Sequence, residues 1–384
     1  AVGIGIPENK DYNGGIQEGV SYVQRTTKGR LRVSAAKAFL NPAKKRRNLS
    51  IRTNAHVMRI ELEGKRATAV RYAVGGRHGV EHVVEARREI ILSAGTINSP
   101  HILQLSGIGP KELLDDLGIE VKHHLPGVGE NLRDHYAPRF TARAKNISTI
   151  NELSRGPRLW AEIGKYLLGK QSIVGLGPTL VYAFWHSNEA IRNHDLQLTF
   201  APASYKEGVQ SQLDNEPGFT VASWQQRPES LGWVKARSAD PFDKPRIQPN
   251  YLSAEEDKRV LLAGMRLCRR IMATPELAPY LDYEQYPGEH IQRDDELLQV
   301  ARERGTTTYH LMGACRMGPD SDPTAVVDSD LRVKGIKGLR VADASIMPTM
   351  LSSNLNAGAL MIGEKVSDMI RGLPPLEAVE LTGK

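Results

Sequence analysis

With 384 residues the chain can bury one large core or two ordinary ones, and 40% hydrophobic against 25% charged residues describes a globular protein rather than a disordered or fibrous one. The 51 Lys and Arg against 44 Asp and Glu leave a formal charge of +7; these basic residues are mostly dispersed, and the densest run, Lys44 to Arg47, has no interleaved aromatics, which argues against a nucleic-acid partner. Two cysteines, Cys268 and Cys315, cannot make a disulfide framework, and no apolar run approaches the about twenty residues of a membrane span.

Residues 1–47 are rich in glycine and basic residues, and AVGIGIPENKDYNGG reads as loop. Ala35 to Leu40 is expected as a helix that stops before Pro42. From Leu49 the pattern alternates, predicting three antiparallel strands in LSIRTNAHVMRIEL, ATAVRYAV and HVVEARREIIL. The third runs through the small residues Ser93 to Thr96 into a helix from Pro100 to Ser106, an arrangement that allows close backbone approach to a nucleotide and equally describes a tight turn with no ligand. In the loop that follows, His123, His124 and His135 lack carboxylate or thiol neighbours at metal-ligand spacing, so they read as surface or packing residues and no metal site is expected.

From about residue 137 the character changes. LVYAFW, LQLTF, GFTVASW and GWVKA are strand-like segments expected in one antiparallel sheet. Ser253 and Glu256 have the spacing of a capping box for a helix reaching Met272, with Val260, Leu261, Gly264, Leu267, Cys268 and Ile271 on its buried face. A second helix is expected over Asp294 to Arg304.

The stretch from Thr306 to Ile370 carries the chemistry. TTTYHLMGACRMG places the His310 imidazole among small residues, where it is either a general base or a hydrogen-bonded structural histidine. Asn354 could hold an alcohol or alkoxide oxygen beside an imidazole; Asn356, with the amides opening the following helix, could stabilise negative charge on a redox ring. Asp343 reads either as a turn cap or as a binder of a ribose or phosphate-linked hydroxyl. The apolar residues of this last helix are Leu360, Met361, Val366, Met369 and Ile370. The GxG pairs at Gly3, Gly107, Gly127 and Gly175 all lack the third glycine of a dinucleotide fingerprint.

Several of these stretches resemble one family. SAGTINSPHILQLSGIGP is similar to the second signature of the glucose-methanol-choline (GMC) flavoprotein oxidoreductases, and YHLMGACRMG, VADASIMP and SSNLNAGALMIGEK resemble its C-terminal blocks in the same order. RPESLG and RSADPFDKPRIQPNYLS match two further elements, so the likeness runs along nearly all of the chain. The resemblance implies a mixed α/β fold: a Rossmann-like FAD-binding domain, incomplete here, formed by 15–136 and 305–372, an antiparallel-sheet substrate domain packed with helices over 137–304 with 1–14, and a tail at 373–384. It further implies FAD-dependent oxidation of a primary alcohol by hydride transfer to flavin N5. His310 matches the family's catalytic histidine and Asn354 the second member of its His/His or His/Asn pair. Ala94, Gly95, Asp343, Ala344, Asn356 and Ala357 match flavin-contacting positions, and Val57 resembles the residue near the adenine.

Two departures from the pattern stand out. The family's GxGxxG segment and first signature are not in this sequence, so the chain is expected to be a C-terminal portion or one chain of a split protein. Choline-oxidising members place a glutamate two residues after Asp-His; here Asp134-His135 is followed by Tyr136 and Ala137, which favours an uncharged alcohol over choline. The electron acceptor, oxygen or a quinone or other carrier, stays open, as do a lyase-type reaction and a flavin-free assembly role. The cysteine usage points to a reducing, cytoplasmic setting, with peripheral contact to a membrane not excluded.

Overall fold

The computed structural model describes residues 1–177, 179–206 and 209–379, so the last five residues of the tail lie outside the described ones. The first strand is β1 (Gly19–Tyr22), followed by a meander of β2 (Ala55–Glu63), β3 (Arg66–Val74) and β4 (Val80–Glu85), then β5 (Ile90–Leu92) and helix α1 (Gly95–Leu105). Next come β6 (Glu130–Leu132), β7 (Arg139–Ala144), α2 (Gly156–Leu167), β8 (Val181–Trp185), β9 (Leu196–Ala201), β10 (Gly218–Gln225), β11 (Gly232–Lys235) and β12 (Arg246–Gln248). The chain closes with α3 (Glu255–Met272), β13 (Leu281–Tyr286), α4 (Asp294–Arg304), β14 (Leu339–Val341) and α5 (Asn356–Arg371).

Among the described residues two large apolar cores form, with a small third cluster of Leu132, Val234 and Ala314. One gathers Ile60, Leu92, Leu103, Met312, Val341 and Ile362 around the meander, α1 and α5. The other gathers Ile6, Phe140, Leu196, Phe219, Leu261 and Leu297 between a sheet and helices α3 and α4. That sheet has six strands in the order β1-β8-β9-β10-β7-β13, all neighbours antiparallel. β1 therefore hydrogen-bonds with β8, on the far side of the boundary that the sequence reading set at residue 15. Every residue of β10 is buried, and Gly264 lets α3 lie on it, since a Cβ there would come 2.7 Å from Ser223 Oγ and 2.9 Å from a Leu196 methyl.

Several local expectations are corrected. The HVVEARREIIL segment is two strands: β4 ends the meander, and β5 leaves it to pair in parallel with β14, Ile91 opposite Arg340. Local alternation cannot reveal a partner so distant in sequence. GWVKA forms β11 of a separate sheet with β6 and β12 rather than joining the large one. The Ala35–Leu40 segment does not stop at Pro42; a wide helical turn over Ala36–Leu40 runs into Asn41–Ala43, where proline is tolerated in a first turn. α1 starts at Gly95, ahead of the expected Pro100. The capping box at α3 is absent: Ala254 precedes the helix with no side-chain cap, and Glu256 pairs with Arg259. The helix start is instead held by the RPESLG loop, where Asp257 accepts from Glu229 N and Ser230 N at 2.8 and 2.9 Å.

Candidate active site

The loop after α4 crosses between the two cores. Thr306 and Thr307 pair with Ala137 and Tyr136 respectively, and Tyr309 adopts a left-handed φ of 62° that turns the chain. His310 N then donates to Asp134 Oδ1 at 2.9 Å. Further along, Gly313 N, Cys315 N and Met317 N donate to the carbonyls of Ala344, Ser345 and Ile346, fastening the histidine loop to the segment that follows β14.

The structure brings His310 and Asn354 together: Asn354 Nδ2 lies 2.9 Å from His310 Nε2. The amide oxygen of Asn354 accepts from Gln197 Nε2 of β9 at 3.3 Å. On its other side, His310 Nδ1 lies 2.9 Å from both Thr308 Oγ1 and His135 Nδ1. His135 Nε2 in turn meets the Gln226 carbonyl at 2.8 Å. His135 is wholly buried, at 0% exposure, with its ring edge-on to that of His310. Its assignment to the surface or to mere packing is thus revised; no local sequence signal marked it, since its partner His310 lies 175 residues away. His123 and His124 remain minor, bonding the Lys334 carbonyl and Lys111 N.

Burial dominates the electrostatics. Desolvation lowers His310 to about 4, and burial, then the neighbouring His310, lowers His135 to about 3, so both imidazoles are neutral near pH 7. Asp134 is pushed up by burial despite accepting from Thr307, Tyr251 and His310 N. Burial and the Asp134 carboxylate raise the Tyr251 phenol. Trp224 of β10 stands 6.3 Å from the His310 ring centre, and a hydrogen bond to Asn354 bears on the Tyr182 phenol, which burial raises.

Ala94, Gly95, Asp343 and Ala344 gather where the parallel strands β5 and β14 end. Ala342 N donates to Leu92 O at 2.8 Å, so the two strand ends lie side by side. Asp343 Oδ2 accepts from Gly95 N at 2.9 Å and from Ser99 Oγ at 2.5 Å, while Oδ1 accepts from Ser345 N at 2.8 Å. Its carboxylate is therefore a brace between the two turns carrying Ala94, Gly95 and Ala344. Asn356 and Ala357 open α5, whose start has no side-chain cap and leaves both residues exposed. Val57 sits on β2 opposite Tyr72 and, like Ala94 and Ala344, packs on the first core. In α5 only Ile362 and Val366 are buried, whereas Met361 and Ile370 are exposed, a narrower apolar face than the composition suggested.

These features suit a flavin nucleotide. Paired carboxyl ends of parallel strands form the crevice in which α/β folds take such ligands, Gly95 has φ +83° with open space where a Cβ would project, and the uncapped amides of α5 favour negative charge. Among the described residues no group of three or more His, Cys, Asp or Glu could hold a metal ion, and no helix is long and apolar enough to cross a membrane. Cys268 and Cys315 are buried and unpaired.

Comparison with known proteins agrees with this geometry. Family profiles described as GMC oxidoreductase match residues 1–137 and 228–363. The chain is 39% identical over 378 residues to the oxygen-dependent choline dehydrogenase of Vibrio vulnificus, covering 97% of this chain and 66% of that protein. It is 41% identical over 375 residues to the mitochondrial choline dehydrogenase of Homo sapiens, covering 97% of this chain and 62% of the other. It thus spans about two thirds of the length of these relatives. The structure of formate oxidase from Aspergillus oryzae superimposes with a TM-score of 0.87 at 26% identity, over 97% of this chain and 68% of the oxidase. The motif order, the mixed α/β architecture and these matches together establish that the chain belongs to the GMC oxidoreductase family.

Proposed function

We propose that this chain supplies the catalytic pair of an FAD-dependent enzyme that oxidises a primary alcohol to an aldehyde. The observation that carries the proposal is the 2.9 Å approach of Asn354 Nδ2 to His310 Nε2, beside the uncapped start of α5. GMC oxidoreductases use FAD, and when bound it supplies the hydride acceptor for the carbinol hydrogen. His310, neutral near pH 7, takes the hydroxyl proton on Nε2. Asn354 donates to the same oxygen and stabilises charge developing on it. Ala94, Gly95 and Ala344, braced by Asp343, would hold the nucleotide through their backbone, Val57 would pack near the adenine, and Asn356 and Ala357 in the first turn of α5 would stabilise negative charge on the redox ring. In this division the first core forms the flavin side and the six-stranded sheet the substrate side, so that Gln197 and Trp224 border the alcohol.

An uncharged alcohol is the substrate we favour, because Ala137 stands where choline-oxidising members carry a glutamate. Choline is the second reading, supported by the names of the relatives and by two aromatic rings near the reacting pair, Trp224 and Tyr182, a residue type that suits a quaternary ammonium. Oxygen is the acceptor to try first, with a quinone as the alternative. Peripheral contact with an anionic membrane is assigned to the outer face of α2, where Trp160, Leu167 and Leu168 are 73%, 75% and 77% exposed among Arg158, Lys165 and Lys170.

The test begins with flavin released on denaturation of the purified chain, then anaerobic addition of choline or its neutral isostere 3,3-dimethylbutan-1-ol. Bleaching by either supports alcohol oxidation, and the ratio of kcat/KM values selects the substrate. His310→Ala is expected to lower turnover by about a thousandfold or more with flavin retained, and Asn354→Ala to lower it about a hundredfold. A colourless chain points to an assembly role; a yellow chain that no alcohol bleaches points to a lyase-type reaction.

A further inference from the structure

We infer that His135 and Gln197 are positioning residues that hold His310 and Asn354 in one hydrogen-bonding sense, keeping His310 Nε2 unprotonated so that it can take the proton of the alcohol. The inference rests on the proposed roles of His310 and Asn354. Its starting point is the Gln226 carbonyl, which can only accept, so His135 Nε2, 2.8 Å away, carries a hydrogen. His135 is wholly buried and neutral, so its Nδ1 has only a lone pair to offer. His310 Nδ1 at 2.9 Å must then be the donor. Thr308 Oγ1 supports the same assignment: it donates to the His135 carbonyl at 3.1 Å and keeps lone pairs for His310 Nδ1 at 2.9 Å.

With its proton on Nδ1, His310 has no hydrogen on Nε2, the atom that Asn354 Nδ2 approaches. The unprotonated Nε2 turns the amino side of Asn354 towards it, and Gln197, whose own amide oxygen is buried without a partner, secures that sense from the far side by donating to Asn354 Oδ1. Turning the Asn354 amide over would set its oxygen against the bare Nε2 and its amino group against that of Gln197. Every hydrogen thus points one way, from Gln197 through Asn354, His310 and His135 to the Gln226 carbonyl. The opposite tautomer of His310 would present an N–H to the alcohol and could take no proton from it. Residues 197, 135 and 226 reach this line from three separate segments, so its direction is a property of the fold.

Nitrogen NMR of the chain labelled with 15N-histidine reads the tautomer directly, with His310 assigned from the signals lost in His310→Gln. The expected wild-type result at pH 7 is a protonated Nδ1 and a bare Nε2 on His310; a protonated Nε2 overturns the inference. His135→Phe keeps the bulk and removes the acceptor, so it should populate the Nε2-protonated form. It should also lower kcat about 10- to 100-fold, the range found when a partner that orients a metal-bound histidine is lost, with KM little changed. His135→Gln, which restores an acceptor, should recover both. A His135→Phe protein with unchanged tautomer and unchanged kcat overturns the inference. If that variant does not fold, the wild type and His135→Gln decide: Nδ1–H in both supports the inference, and Nε2–H in either overturns it. The tautomer is read without turnover, so a chain that shows it but oxidises no alcohol refutes the proposed function alone, and an active chain with the opposite tautomer refutes this inference alone.

Discussion

Acidification should unfold this protein partly through His310, and the size of the effect follows from its burial. In the folded state desolvation holds His310 near 4 against an ordinary value of 6.5. Below pH 6.5 the unfolded chain binds a proton at this position that the folded chain does not, so stability falls as pH drops from 6.5 to about 4 and is fully present above that window. Each pH unit inside it is worth about 1.4 kcal/mol per histidine, so His310 accounts for about 2 kcal/mol of the loss between pH 7 and pH 5. His135, held near 3, works in the same direction. Asp134, pushed up by burial, works in the opposite one, since its folded carboxyl takes a proton more readily. Both remain in His310→Gln, and since burial is the larger cause of each shift their contributions largely cancel when the two proteins are compared. Urea midpoints measured by circular dichroism at pH 7 and pH 5 should therefore fall further for the wild type than for His310→Gln, by roughly 0.7 M at an m-value of about 3 kcal/mol/M. Equal falls in the two proteins would show that His310 is not held neutral by its surroundings.

Two further outcomes test the scaffold and its surface. Gly129→Ala should destabilise by about 3 kcal/mol in thermal denaturation, because its φ is +90° and a Cβ would stand 2.1 Å from the Val234 carbonyl oxygen and 2.5 Å from Gln104 Nε2; an unchanged midpoint would refute the packing described. The chain should cosediment with anionic vesicles and not with neutral ones, weakening with salt, and Trp160→Ala with Leu168→Ala should reduce binding at least tenfold. Binding that neither change lowers would place membrane contact elsewhere.

The candidate site was only partly legible from single residues. His310 and Asn354 stood out because motif order along the chain carries them, and the structure sets them 2.9 Å apart. His135 did not, because a histidine beside an aspartate reads the same whether exposed or buried, and its partner lies 175 residues away. Asp343 left two readings open; its bonds to Gly95 N and Ser99 Oγ make it a brace.

The sequence by itself determined the family, the mixed α/β class, three of the six strands of the large sheet and the buried face of α3. All of these are written in short-range periodicity or contiguous motifs. Only the tertiary structure decided that β5 pairs with β14, that β11 belongs to another sheet, that the RPESLG loop rather than Ser253 holds the start of α3, and that one line of hydrogen bonds runs from Gln197 to Gln226. The physical reason is common to all four. Backbone pairing and buried polar contacts depend on which distant segments meet, and a donor or acceptor acquires its sense only when its partner is in place.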